Sequence, residues 1–247
     1  MTTDFTDQIA VITGAAAGIG QAIATHLAER GARIAGVDIA PGLADAIAAL
    51  PGEGHIAVTA NIADATAAQD AISRVGAEVG TPQILVNSAG IGRFAPGEDL
   101  SEKDWQATLA VNLSGSFFMT QAAGRAMLEA GYGRVVNIAS QAAGIGLVEH
   151  AAYSASKAGV LGFTRVLAVE WAGRGVTINA VSPTIADTAL AREIWVGEKG
   201  DAARALIPAG RFVAPEEIAT LVAFLASPDS AMITGEDMRI DGGRSVI

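Results

Sequence analysis

Apolar residues come in short blocks along this chain, and between the blocks they recur every three or four positions. Ile9, Ala10, Val11 and Ile12 run together and stop at Thr13, just before a glycine. An uninterrupted run of that length suits a strand buried on both faces. From Ile19 to Arg30 the period changes: Ile23 and Leu27 stand four apart, and Gly31 is a helix stop. The same switch repeats down the chain. It predicts strands at 33–38, 55–60, 83–87, 133–139, 176–181 and 238–240. It predicts helices at 43–50, at 64–79 with Asp64 as N-cap, from Ser101 onward, at 151–173, irregularly at 188–210, and at 215–226. Ser101 and Asp104 have the spacing of a capping box. Pro215 opens the last helix, with Glu216 and Glu217 in its first turn, where the positive end of the helix dipole favours carboxylates.

Strand and helix alternate from end to end with no low-complexity linker, so residues 1–247 read as one domain. Parallel strands joined by right-handed helical crossovers give an α/β fold. Its expected form is a doubly wound parallel sheet of about seven strands with helices on both faces.

Charge and composition narrow the classes of function. A net charge of −10 speaks against a nucleic-acid partner, because phosphate neutralisation needs clustered Lys and Arg, and none is expected. The chain has no cysteine, which excludes disulfides and thiolate metal sites; no metal is expected. Residues 1–8 are polar and acidic, unlike a signal peptide. The apolar stretch Val135–Val148 is too short and glycine-broken to span a bilayer. A soluble, cytoplasmic protein without membrane contact is the expectation.

The junction of first strand and first helix carries the first candidate chemistry. Gly14, Ala17, Gly18 and Gly20 are small residues at the start of a helix, with Ile19 among them. There a pyrophosphate can approach the main chain and meet unpaired N–H groups. Asp38 ends the second strand about twenty residues on, where a carboxylate accepts from ribose hydroxyls and repels a 2′-phosphate. Ile39, Ala40 and Pro41 follow it without an arginine, so the expected cofactor is NAD rather than NADP. Further on, Tyr153 and Lys157 are four apart on one helical face, with Ser140 upstream. A phenol beside an amine is a proton-transfer pair.

These motifs, in this order, resemble the short-chain dehydrogenase/reductase family over nearly the whole chain. Thr13, Gly14, Gly18, Ile19 and Gly20 match its cofactor loop, and Asn87, Ser88, Ala89 and Gly90 its fourth strand end. Asn112, Ser140, Tyr153 and Lys157 match its catalytic tetrad. The segment from Asn179 to Pro183 matches the strand end on the nicotinamide side, and Asp241, Gly242 and Gly243 a C-terminal signature. The resemblance implies a Rossmann-type fold and hydride transfer between an alcohol carbon and NAD. It implies Tyr153 as general acid/base, Ser140 orienting the substrate oxygen, Lys157 on the ribose hydroxyls, and Asn112 anchoring a water. It further implies cofactor contacts from Asn61, Ile62, Asn87, Ala89, Gly90, Pro183, Thr184, Ile185 and Thr188. Two departures stand out: Asn61 replaces the more usual Asp near the adenine, and Thr184 replaces a glycine after Pro183.

Ser182, Pro183, Thr184, Thr188, Trp195, Gly197 and Gly200 look like a subgroup of NAD-dependent polyol dehydrogenases, as does the run from Leu206 to Phe212. The expected substrate is therefore a small sugar alcohol such as a tetritol, oxidised to a ketose. Gln141, His150 and Glu149 are candidate hydroxyl partners, Trp195 a candidate apolar wall, and residues 188–210 a candidate lid. His150 has a structural alternative as helix cap, and Trp195 as lid packing. The rival activity is that of a 3-oxoacyl-carrier-protein reductase, with Arg93, Lys103 and Arg125 as a possible patch for an acidic carrier. A non-catalytic NAD sensor is a third reading. The helix from Gly159 to Trp171 is apolar on more than one stripe, and Phe117, Phe118 and Met119 are consecutive; by resemblance these helices build a homotetramer.

Overall fold

The computed structural model describes residues 4–246; the first three residues of the polar leading stretch and Ile247 lie outside the described residues. Seven strands are present among the described residues: β1 (Ile9–Thr13), β2 (Arg33–Asp38), β3 (Ile56–Thr59), β4 (Ile84–Asn87), β5 (Gly133–Ile138), β6 (Val176–Pro183) and β7 (Asp237–Ile240). They form one sheet in the order β3-β2-β1-β4-β5-β6-β7, with every neighbouring pair parallel. The helices are α1 (Gly18–Ala28), α2 (Leu43–Ala48), α3 (Ala65–Glu78), α4 (Glu102–Leu109), α5 (Ser116–Ala130), α6 (Ala151–Trp171), α7 (Ala189–Ile194), α8 (Gly197–Ala205) and α9 (Pro215–Ala226).

Side chains alternate across each strand, and the two faces of the sheet bury different helices. Ala10 and Ile12 of β1 pack with Ile23 and Leu27 of α1 and with Ile218 and Val222 of α9. Ile9 and Val11 face the other way, towards Ile72 of α3, Met119 of α5 and Trp171 of α6. Both faces being covered explains why the strands read as continuous apolar runs. Each fully buried Ile or Leu contributes roughly 1.5–3 kcal/mol. α5 comes close to α6 at Gly124, where a Cβ would meet the Trp171 ring at 2.4 Å.

The strand order reverses between β1 and β4, and at such a switch point the loops leaving the carboxyl ends part to leave a crevice. The Thr13 hydroxyl pins the two loops at its base, accepting from the N–H groups of Ser88 and Ala89, both at 3.1 Å. Gly14 is required there. Its φ is +71°, and a Cβ would lie 2.9 Å from the Ala89 backbone.

Several expected boundaries move. The helix predicted at 43–50 ends at Ala48, and the strand predicted from His55 begins at Ile56, because the His55 ring accepts the Ile34 N–H at 3.0 Å. Asp64 caps α3 as predicted, accepting from Ala67 at 2.9 Å. Ser101 caps α4 by accepting from the Asp104 N–H, but Asp104 answers with its carboxylate on the Ser101 hydroxyl instead of reaching back to the main chain. β6 runs on to Pro183, and α6 ends at Trp171. The helical stretch from Ser101 onward is interrupted by a π-helical segment, Ala110–Gly115. The irregular 188–210 region consists of α7 and α8, broken at Trp195 and Val196.

Candidate active site

Ser140 stands just past β5, where the chain leaves the sheet. Its Oγ accepts the Ala142 N–H at 3.1 Å and so starts the short turn Gln141–Ala143. α6 then crosses over the end of β5 and carries Tyr153 and Lys157 to the same place. The Lys157 Nζ donates to the carbonyl oxygen of Ile138, the last residue of β5, at 2.7 Å. Only 4% of Lys157 is exposed, and its Nζ lies 5.7 Å from the centroid of the Tyr153 ring.

Burial acts on both groups. It lowers the Lys157 pKa to about 8, which still leaves the amine mostly cationic at neutral pH. It raises the Tyr153 phenol above its ordinary value, and the Ser140 hydroxyl beside it pulls the other way. A pull of Lys157 towards the phenolate, expected from the sequence, does not offset burial in the protein alone.

Asn112 lies in the π-helical segment and is fully buried. Its Oδ1 accepts the Ile91 N–H at 2.8 Å, and its Nδ2 donates to the Ile91 carbonyl at 2.9 Å and to the Ser156 Oγ at 3.1 Å. The side chain thus joins the loop after β4 to α6, one residue from Lys157. The widened turn leaves the Asn112 main-chain carbonyl to accept the Ser116 hydroxyl at 2.8 Å. The side-chain amide has no donor left for a water.

The crevice side is built from main chain. Gly18 has φ +59°, and Ala17, at the N-cap of α1, offers no capping side chain, so the first-turn N–H groups have no side-chain partner. Ile19 lies in that turn. The Asp38 carboxylate accepts from Ala16 at 3.1 Å, Ile39 at 2.7 Å and Ala40 at 3.0 Å. That fixes it against the β1 loop with Ile39 exposed beside it. Asn61 is exposed and accepts the Ala63 N–H through Oδ1, and Ile62 is buried behind it. Ala89 and Gly90 line the base, where a Cβ on Gly90 would meet the Asn112 Oδ1 at 3.3 Å and the Lys157 Nζ at 3.5 Å. Pro183 ends β6. Thr184 after it is buried with an Oγ1 that has no protein partner. Ile185 leads to Thr188, which caps α7 and places its Cγ2 3.5 Å from where a Gly18 Cβ would sit.

Several predicted residues have partners of their own in the structure. The Asn87 side chain points into the core and donates to Thr120 and Asn137, both at 2.8 Å. That network, extended by Asn137 to Thr164, ties β4 and β5 to α5 and α6. Trp195 packs on Phe212 at 6.4 Å between ring centroids and under the Lys199 ammonium at 4.9 Å, within the 188–210 region. His150 is the residue before α6 and makes no side-chain cap; its Nδ1 meets the Val148 carbonyl at 2.6 Å. Gln141 is nearly buried, with an unpartnered Oε1. Arg93 pairs with Asp104 at 3.9 Å, whereas Arg125 donates to the neutral Gln69 amide and keeps its charge. The aromatic neighbours of Tyr153 are His150 and Phe94, and sequence reasoning missed Phe94. The available signal was an aromatic just past the strand-end glycines in a chain that is only 5% aromatic. Among the described residues, no cluster of three His, Cys, Asp or Glu could hold a metal, and no helix is long and apolar enough to cross a membrane.

The family model described as "Enoyl-(Acyl carrier protein) reductase" matches residues 14–245. The chain is 53% identical over 242 residues to a D-threitol dehydrogenase of Mycolicibacterium smegmatis, covering 97% of this chain and 93% of that protein. It is 41% identical over 243 residues to an NAD-dependent glycerol dehydrogenase of Listeria innocua, covering 98% and 96%. Among solved structures, one from Beutenbergia cavernae superposes with a TM-score of 0.92, 36% identity and 99% of each chain covered. That protein is provisionally assigned as an NAD(P)-dependent gluconate 5-dehydrogenase and holds NADP at low occupancy. With sheet, loops and sequence agreeing over nearly its whole length, the chain is a member of the short-chain dehydrogenase/reductase family and an NAD(P)-dependent oxidoreductase.

Proposed function

We propose that the protein oxidises a small sugar alcohol, of tetritol size or close to it, to a ketose, with NAD as acceptor. The observation that carries the chemistry is the Lys157–Ile138 hydrogen bond, which holds a buried ammonium beside Tyr153 and Ser140. The likeness to threitol and glycerol dehydrogenases supports the substrate class.

The residues present fit a dinucleotide. Gly14 and Gly18 leave room over the start of α1, and the unpartnered Thr184 Oγ1 waits for a polar group. In this reading Gly14, Ala17, Gly18 and Ile19 hold the pyrophosphate, and Asp38 and Ile39 the adenosine ribose. Asn61 and Ile62 hold the adenine, and Ala89, Gly90, Pro183, Thr184, Ile185 and Thr188 the nicotinamide half. Asp38 keeps acceptor capacity on Oδ2 for a ribose hydroxyl, and its charge opposes a 2′-phosphate. That sets the preference for NAD. The Asn61 Oδ1 has a second lone pair for the adenine amino group.

When bound, the nicotinamide accepts the hydride from the carbinol carbon. The chain does the rest. Because the Ser140 Oγ already accepts from Ala142, its own proton is free to point at the substrate oxygen. Tyr153 gives up its own proton along the path that Lys157 offers and takes the hydroxyl proton in its place as general base; the phenolate is favoured against burial by the positive charge of the nicotinamide when bound. Of the three Lys157 donors, Ile138 takes one, leaving two for ribose hydroxyls and the proton path. The water expected of Asn112 has the main-chain carbonyl as its remaining anchor. Gln141, with its unpartnered Oε1, and His150 serve the other substrate hydroxyls.

The test is NAD⁺ reduction over glycerol, tetritols, pentitols, hexitols and 3-hydroxyacyl esters, repeated with NADP⁺. Turnover of polyols with NAD⁺, lost in Tyr153→Phe, is expected. Activity confined to acyl substrates with NADPH overturns the reading. Two observations favour that rival: the chain is 37% identical over 244 residues to a 3-oxoacyl-[acyl-carrier-protein] reductase of Escherichia coli, and the matching family model carries an acyl-carrier-protein reductase description. Asp38, the net charge of −10 and the Asp104-paired Arg93 weigh against it. We also propose a homotetramer: Val166 and Val169 stand 56% and 85% exposed on α6, near the Phe117–Phe163 edge contact, and ask for a second copy. Light scattering on the purified protein checks the mass.

A further inference from the structure

Phe94 is half exposed, yet its ring is held from three sides. Its centroid lies 4.3 Å from that of His150 with the planes tilted 34°. It lies 5.9 Å from that of Tyr153, edge to face. The third contact is Gly92, where a Cβ would come within 2.3 Å of the Phe94 Cζ. Only a glycine lets the ring lie down in this position. His150 in turn meets Tyr153 edge to face at 6.1 Å. The three rings form one cluster that spans the loop after β4 and the start of α6.

The backbone is arranged to keep the cluster together. Glu149 has φ +67°, in the left-handed region that side chains avoid, at a cost on the order of 1–3 kcal/mol. That turn brings its carbonyl to the Ala95 N–H at 3.2 Å, joining the residue after Phe94 to the residue before His150. The Val148 carbonyl can only accept, so at 2.6 Å the His150 Nδ1–H donates to it. With the ring hydrogen on Nδ1, Nε2 is the nitrogen left to accept. Helical Cα–Cβ bonds tilt towards the N-terminus, so Tyr153 leans towards His150 and Phe94. An alcohol whose oxygen meets the Tyr153 hydroxyl therefore has its carbon skeleton beside an aromatic face and a ring nitrogen acceptor.

We infer that Phe94 is a specificity-determining residue: its ring is the wall against which the C–H faces of a short polyol lie, while His150 Nε2 accepts from one of the polyol hydroxyls. This rests on the polyol reading for the substrate class, and not for the position of the wall. A polyol presents C–H hydrogens on one side and hydroxyls on the other, which matches a ring beside an acceptor.

The experiment uses the full chain with NAD⁺. The wild-type panel of polyols and 3-hydroxyacyl esters first decides the polyol reading. The variants are then run on the panel's best alcohol, whichever class it belongs to, so the two failures are distinct. Phe94→Ala is expected to raise the alcohol KM by about tenfold or more with kcat changed less, to leave the KM for NAD⁺ unchanged, and to shift relative activity towards longer alcohols. Phe94→Tyr is expected to restore most of the KM. Gly92→Ala, which displaces the ring without touching the substrate, is expected to move KM in the same direction as Phe94→Ala. The thermal midpoints of all three should stay near wild type, because the ring is half exposed. An unchanged alcohol KM in Phe94→Ala, or an equal rise in the KM for NAD⁺, overturns the inference.

Discussion

The Nζ of Lys157 is hydrogen-bonded at 2.7 Å to the carbonyl of Ile138, so a helix residue is fastened to the end of the strand that leads into Ser140. One bond sets the spacing of two catalytic candidates from separate elements. It also holds a cation in a place that desolvates it.

That desolvation makes stability depend on pH in a defined direction. The folded Lys157 pKa, about 8, lies below the ordinary lysine value of 10.5. Below the folded value both states carry the proton, and the folded state bears the full cost of burying it. Between the two values the unfolded chain keeps the proton and the folded chain releases it, so unfolding free energy rises with pH. At ~1.4 kcal/mol per pKa unit the full gain is on the order of 3 kcal/mol. Urea unfolding of wild type and Lys157→Met, compared from pH 7.5 to 10.5, should show wild type gaining on the variant across that window. A constant difference would contradict the buried cation.

Removing the proton acceptor should leave binding intact. Tyr153→Phe is expected to lower kcat by about 10²–10⁴-fold, the usual worth of a general base, while the Kd for NAD⁺ stays within a few-fold. Ser140→Ala should cost about 10²–10³-fold in kcat. Pre-steady-state and equilibrium binding measurements separate the two effects.

Cofactor choice should follow one carboxylate. Asp38→Ser removes the charge that opposes a 2′-phosphate and weakens the tie to Ala16. At about 1.5–3 kcal/mol for a hydrogen bond to a charged group, the NAD⁺:NADP⁺ ratio of kcat/KM should fall by roughly 10–100-fold. An unchanged ratio would remove Asp38 from the ribose site.

The crevice floor should tolerate no Cβ at Gly14. Gly14→Ala combines a positive φ with backbone atoms at 2.9 Å. A loss of ~1–3 kcal/mol is expected, and calorimetry should record about 2–4 °C of Tm per kcal/mol. The same substitution at Gly97, which has open space around it, serves as the control.

Much of this protein is written locally. Each strand is an apolar run and each helix a periodic one, because side chains repeat every two residues in a strand and every 3.6 in a helix whatever lies elsewhere. Asp64 as a cap, Pro215 as a helix start, and the Tyr153–Lys157 pair one turn apart need only their own neighbours to be read. The rest depends on which distant segments meet, and that follows from sheet order and register. Asn87 matched a cofactor motif, yet its side chain serves Thr120 and Asn137, since β5 and α5 lie against β4. Trp195 is expected from the sequence as a substrate wall, and its ring meets Phe212 in a T-shaped contact and lies under the Lys199 ammonium. The π-helical turn that shifts Asn112 has no periodic signal of its own. Phe94 stands 59 positions from Tyr153 and reaches it only because the β4 loop and the start of α6 converge at the carboxyl ends of the central strands. Local pattern determined the elements and the chemistry they carry; packing between elements decided which of those groups share a site.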